Sequence, residues 1–297
     1  MTILVTGAGG TISTSLLNLL AATSTESLRA LVRDPGKAPT IPGVEVAVGD
    51  LTQPDSLTTA FEGVRALWLL TAAGPDAPHQ SSNALDAARR AGVGHIVRLS
   101  AIGAAHDAPT RNGRLHALSD AELIASGIPY TIVKPSAFDQ NLLGLVHEGT
   151  LYHSWGDGRV GLIDARDIAE FAAHVLRQPE EHVGRTYTVT GPESISLAEA
   201  AAELSDGTGR EIKAQQVPSD AVVAGMLGAG LSPWFAEVMG REYAAAYASG
   251  WGDFTTDAFE TVVGRRARTV AEFGRDHSGA FEPAVSTGTT SGSPAAR

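Results

Sequence analysis

Ile3-Leu4-Val5 runs directly into Thr6-Gly7-Ala8-Gly9-Gly10-Thr11-Ile12-Ser13, and Ile12, Leu16, Leu17 and Leu20 then recur at helical spacing. An apolar strand, a glycine turn and a helix start in that order make an anion cradle. Glycines let backbone approach a phosphate, and the free N–H groups of the first helical turn point at it. Read as Gly7-x-x-Gly10-x-x-Ser13, the turn has serine where a dinucleotide fingerprint carries the third glycine, the one that lets helix and strand pack closely. Serine is the smallest polar substitute. The expected ligand is a dinucleotide, the alternative is an ordinary strand-to-helix turn, and context decides between them.

Working outward, short apolar runs at 2–5, 28–32, 44–48, 66–70, 95–99 and 130–133 alternate with helical patterns at 12–20, 56–61, 79–91 and 114–125. That alternation predicts an α/β fold, a doubly wound parallel sheet with helices on both faces. Beyond Pro135 the pattern loosens. Helices are expected at 164–177, 221–226, 233–249 and 256–263, strands at 187–189 and 213–217, and a capping box at Ser196 and Glu199. The expected division is a nucleotide-binding core over 1–150, with some later segments returning to it. A smaller, interleaved α/β lobe covers 151–282. Residues 283–297 are Gly, Ser, Thr, Pro and Ala with one Val and a closing Arg, a composition expected to stay disordered.

The chain has 297 residues, a formal charge of -11 and no cysteine. Net acidity argues against nucleic-acid binding, which needs a basic face. Without cysteine there is no disulfide, thiolate metal site or cysteine nucleophile. No histidine cluster has metal spacing, no Gly-x-Ser-x-Gly elbow appears, and the glycine loop lacks Gly-Lys-Ser/Thr. No apolar run approaches a membrane span and no targeting segment is visible, so the expectation is a cytoplasmic protein, monomer or homodimer, acting on a small molecule.

In an open parallel sheet the ligand lies at the carboxyl ends of the strands. After the first strand come Gly7, Gly9, Gly10, Thr11 and Ile12. After the second stands Arg33, with Asp34 and Lys37 nearby. An arginine there suits a 2′-phosphate and favours NADPH over NADH, whereas a loop arginine paired with Asp34 is the plainer alternative. After the third come Asp50 and Leu51, which either meet the adenine edge or cap a turn. Thr71 and Ala72 follow the fourth strand and leave room for ribose and nicotinamide. Ser100 follows the fifth, as a substrate or ribose contact or as a cap.

His95-Ile96-Val97-Arg98-Leu99-Ser100-Ala101-Ile102-Gly103-Ala104 and Ser126-Gly127-Ile128-Pro129-Tyr130-Thr131-Ile132-Val133-Lys134-Pro135-Ser136-Ala137-Phe138-Asp139-Gln140-Asn141 resemble the NmrA-like atypical short-chain dehydrogenase/reductase family. The opening turn, Leu31-Val32-Arg33-Asp34-Pro35 and Gly49-Asp50-Leu51 match it in order and spacing, and the likeness is greatest to its type-2 quinone oxidoreductase branch. The resemblance implies a Rossmann core, a small substrate lobe and NADP(H). It implies either a reductase of quinones or related carbonyls or a nucleotide-sensing regulator; a natural-product enzyme without net redox is a further alternative. The wider family places Tyr and Lys four apart after the fifth strand. Here His116-Ala117-Leu118-Ser119-Asp120 takes that place, so His116 becomes the expected proton donor, with Asp120 raising its basicity and Ser100 beside it. A hydroquinone anion is a weak enough base for water to protonate, so the missing Tyr–Lys pair argues more against simple ketones than against quinones. Lys134 and Pro135 are expected on the cofactor side. Ile102, Phe138, Asn141 and Trp155 are expected on the side of an aromatic or quinone-like substrate.

Overall fold

A computed structural model describes residues 2–282; the tail expected to be disordered lies outside the described residues. The strands are β1 (Thr2–Val5), β2 (Ser27–Val32), β3 (Val44–Val48), β4 (Val64–Leu69), β5 (His95–Leu99), β6 (Tyr130–Pro135) and a seventh, Arg185–Val189. They form one sheet in the order Arg185–Val189, β6, β5, β4, β1, β2, β3. Every neighbouring pair is parallel. The strand order reverses between β4 and β1, which opens a crevice above their carboxyl ends.

The period-2 geometry of a strand sends alternate side chains to opposite faces. Ile3, Val5, Trp68 and Val97 pack on α1 (Thr11–Thr23) and α6 (Ala165–Arg177), through Leu16, Leu20, Ile168 and Phe171. Leu4, Leu67, Leu69 and Ile96 face the other way, with α2 (Leu57–Ala60), α3 (Ala77–Ala91) and α4 (Arg111–Ala125), against Leu57, Leu85 and Leu123. Arg98 shares the second face with Ile96, since the two are two residues apart on β5.

A separate apolar cluster fills the lobe, built from Leu151, Leu162, Leu197, Tyr247 and Phe273. It joins α5 (Gln140–Leu145), α7 (Leu197–Thr208) and the helix Val270–Asp276. The expected capping box at Ser196 and Glu199 is present, and Thr269 and Glu272 make a second one. The helix expected at 233–249 is not uniform: Pro233–Glu237 and Ala244–Ala248 flank a π turn, Val238–Tyr243. Gly240 in that turn lies against Val223, where a Cβ would come within 2.9 Å of Val223 Cγ2. Arg111 bonds Glu242, and Asn112 Nδ2 donates to Tyr243 Oη at 3.1 Å, so the π turn is tied to the start of α4. Among the described residues, no helix is long and apolar enough to cross a membrane.

Candidate functional site

The cradle forms as its glycines require. Gly7 has φ +60°, and a Cβ there would lie 2.8 Å from Leu70 Cδ2. Gly10 is the N-cap of α1, no side chain caps the helix, and its first turn holds no acidic residue to compete with an anion. Ser13 is fully buried. Its hydroxyl donates to the Thr6 carbonyl at 2.9 Å and accepts from Trp68 Nε1 at 3.1 Å. Serine therefore fastens helix to strand by bonding, where a glycine does so by leaving space. Thr6 Oγ1 accepts from the Leu70 N–H at 2.8 Å and locks β1 to the end of β4 beside the turn.

The neighbouring strand ends gather around this turn. A Cβ on Gly9 would sit 3.5 Å from the Lys37 carbonyl, so the loop after β2 borders the cradle. Arg33 and Lys37 are both exposed, and neither makes a salt bridge or side-chain hydrogen bond to a described residue, Arg33 acting on Asp50 only at longer range. Asp34 accepts from the Gly36 N–H at 2.9 Å to cap its own turn, which leaves Arg33 without the partner the plainer alternative gave it. Asp50 accepts from Thr52 N and Thr52 Oγ1, each at 2.9 Å. The Thr52 backbone bond, with Arg33 adding, holds the Asp50 carboxyl below its usual range. The Leu51 carbonyl accepts from Asn83 Nδ2 at 2.8 Å, and the Ala72 N–H donates to Gln80 Oε1 at 3.1 Å. Thr71 Oγ1 is buried with no hydrogen-bond partner, a costly state that a ligand's polar atom would relieve. A cradle that a Cβ would fill, an uncapped helix start and an orphaned hydroxyl on the adjacent strand end fit a dinucleotide.

At the ends of β5 and β6 lies a buried polar cluster. Asp120 on α4 takes three donors: Arg98 Nε at 3.0 Å, Ser100 Oγ at 2.7 Å and Lys134 Nζ at 3.4 Å. Lys134 also donates to the Ala104 carbonyl at 2.9 Å. It lies within β6 and not beyond it, because the strand continues to Pro135. Arg98 is fully buried, and its Nη1 donates to Ser81 Oγ on α3 at 3.1 Å. His116, one turn before Asp120, faces Arg98 Nη2 through Nδ1 at 3.4 Å. The expectation that Asp120 makes His116 more basic is corrected here. The carboxylate is engaged by two cations and a hydroxyl, while burial, then Arg98, then Lys134 hold His116 down to about 3. His116 is therefore neutral at pH 7.

On the expected substrate side, Ile102 is buried in the lobe cluster and its N–H donates to the Pro135 carbonyl at 2.9 Å, so its side chain is given over to packing. Phe138 is partly buried and bridges to Ile163. Asn141 is half-buried, and its side-chain amide has no partner among the described residues. Trp155 leans on Tyr247 with ring centroids 4.4 Å apart, at the margin of the lobe core. Sequence reasoning did not single out Arg98 or Ser81. The available signal was a cation inside an otherwise apolar strand, which is rarely placed there without a partner.

Residues 7–179 match the NAD(P)H-binding family. The chain is 38% identical over 288 residues to the NAD(P)H azoreductase of Xenophilus azovorans, covering 94% of this chain and 99% of that one. The structure of Citrobacter sp. triphenylmethane reductase complexed with NADP(H) superposes with a TM-score of 0.82 at 28% identity, over 94% of this chain and 100% of that one. The Escherichia coli NADPH-dependent quinone oxidoreductase complexed with NADPH does so with a TM-score of 0.82 at 26% identity, over 92% and 99%. The glycine cradle, the sheet order and these likenesses agree: the chain belongs to the NAD(P)H-binding, NmrA-like atypical short-chain dehydrogenases/reductases and is an NAD(P)H-dependent oxidoreductase.

Proposed function

We propose that this chain is an NADPH-dependent reductase that delivers hydride to a planar conjugated acceptor, a quinone or a related conjugated carbonyl or azo compound. The observation that carries this reading is the charge of the buried cluster. Arg98 and Lys134 outnumber the single carboxylate of Asp120, and His116 beside them is neutral. A buried excess of positive charge favours a product that becomes more negative, as a conjugated acceptor does on receiving hydride. A hydroquinone-type anion then takes its proton from water, so no Tyr-like acid is required. The relatives named above, an azoreductase, a triphenylmethane reductase and a quinone oxidoreductase, support an acceptor of this kind.

When bound, the nicotinamide cofactor supplies the hydride. Gly7, Gly9, Gly10, Thr11 and Ile12 hold its phosphates at the start of α1. Arg33 and Lys37 meet a 2′-phosphate, which is the basis for NADPH over NADH. Asp50 and Leu51 border the adenine, and Thr71, Ala72, Ser100 and Pro135 border the nicotinamide half. Asn141, Phe138 and Trp155 bound the acceptor side. The test is NADPH oxidation with a naphthoquinone, an azo dye and a saturated ketone. Turnover is expected with the conjugated acceptors and not with the ketone. Tight NADPH binding with no turnover on any conjugated acceptor would overturn the reading.

A further inference from the structure

We propose that Arg98 is a positioning residue that holds His116 as the Nε2-protonated neutral tautomer, so that its Nε2–H is presented as a hydrogen-bond donor to a lone pair of the acceptor. The inference deepens the reductase reading and rests on it for the identity of the acceptor, a carbonyl oxygen or azo nitrogen. A guanidinium has only N–H donors. With Arg98 Nη2 at 3.4 Å from His116 Nδ1, that ring nitrogen must offer its lone pair, which leaves the proton on Nε2.

The guanidinium has no freedom to turn away. Its Nε is fixed to Asp120 Oδ1 at 3.0 Å, its Nη1 to Ser81 Oγ at 3.1 Å, and the whole side chain is buried. Protonating Nδ1 would set N–H against N–H. It would also add a third cation, since the charged groups facing the ring are Arg98 from β5 and Lys134 from β6. Asp120, one turn along the same helix, already receives three donors. Nε2, by contrast, bonds no described residue, and the ring is half-buried. A neutral imidazole donor polarises an acceptor without releasing a proton. That suits hydride transfer to a product that water protonates.

The experiment is a long-range nitrogen–proton NMR spectrum of the full chain made with 15N-histidine, with the His116 signals assigned by their loss in His116→Asn. The expected result is the Nε2–H tautomer, unchanged from about pH 8 to about pH 5. An Nδ1–H tautomer, or protonation with a midpoint above about pH 6, would overturn the proposal. The spectrum needs no turnover, so a failure of the reductase reading shows up separately as absent NADPH oxidation. A second arm uses Arg98→Lys, which keeps the charge and loses the fork. There kcat is expected to fall roughly tenfold or more with NADPH affinity retained, and an acid limb attributable to His116 should appear in the kcat–pH profile. A profile identical to wild type in a folded Arg98→Lys protein would overturn it. If that variant does not fold, the wild-type spectrum alone decides.

Discussion

Arg98 and Asp120 form an ion pair inside the protein, with Nε 3.0 Å from Oδ1 and side chains 0% and 7% exposed. One partner comes from the middle of the sheet and the other from α4, so the pair fixes the helix carrying His116 against the strand that ends in Ser100. Asp120 is the carboxylate that balances Arg98, whereas Asp120 itself also keeps Lys134 and the Ser100 hydroxyl. Asp120→Asn is expected to destabilise the fold by about 3–5 kcal/mol, because it strands the buried guanidinium, and Arg98→Met by less, because Lys134 still faces the carboxylate. Denaturant unfolding measures this. A loss below about 1 kcal/mol for both would mean that the site is wetter than the structure describes.

Ser13 tests whether the departure from the glycine fingerprint weakens the cradle. Ser13→Ala leaves the Thr6 carbonyl and Trp68 Nε1 without their partner, so a stability loss of about 1–3 kcal/mol is expected. NADPH affinity should change little, because the hydroxyl points to the sheet and away from the turn. A thermal melt and a cofactor titration on the same sample separate the two effects. A large loss of affinity without loss of stability would contradict the assignment.

Acid should weaken the fold through histidines. Thr131 Oγ1 donates to the His182 carbonyl at 2.9 Å and so accepts from His95 Nε2 at 2.9 Å. Burial, with His182 adding, holds His95 down to about 4, and His116 is held down to about 3, against an ordinary 6.5. Below pH 6.5 the unfolded chain binds protons that the folded chain refuses. Stability is therefore complete above that value and falls towards the folded values, by roughly 1 kcal/mol per pH unit for each histidine. Urea midpoints between pH 7 and pH 4 should show that slope, and His95→Gln should flatten it. An unchanged slope in that variant would remove His95 from the account.

Asp139 gives the opposite dependence. It is fully buried and neither carboxylate oxygen has a partner. Burial, followed by Asp164 and Asp167, pushes its carboxyl well above 3.8. Its contribution to stability is therefore whole below the unfolded value and is lost as pH rises through the folded one. Asp139→Asn is expected to raise the melting temperature at neutral and alkaline pH and to have little effect near pH 4. A variant that is less stable than wild type at pH 8 would show that the charged form is satisfied after all.

Much of the core was legible because its signals are local. The period-2 and helical runs placed β1 to β6, and Gly7 and Gly10 marked the turn. Other features depend on partners distant in sequence. Ser13 looked like a gap in a pattern, while its bonds reach 7 and 55 residues along the chain. Likewise, Asp120 was assigned to His116 by helical spacing, but folding brings Arg98 and Lys134 to it from two strands, and two cations outbid a neutral ring for a carboxylate. The π turn sets Gly240 against Val223 and bonds to the start of α4, and neither contact has a local signature. The helix Val270–Asp276 was readable by the same rule that found Ser196 and Glu199, because Thr269 and Glu272 repeat it. The helix α5 carries no such mark, since Asp139 precedes it without capping it.

Arg33 and Lys37 belong to the loop that borders the cradle, exposed and without a salt bridge among the described residues. They should distinguish a 2′-phosphate from a 2′-hydroxyl. Fluorescence titration of the full chain with NADPH and with NADH tests the cofactor site most directly. NADPH is expected to bind at least about tenfold more tightly, near 1.4 kcal/mol, and Arg33→Ser should remove most of that difference while leaving NADH affinity unchanged. Equal affinity for the two nucleotides would contradict the role given to Arg33, and binding of neither would contradict the cradle itself.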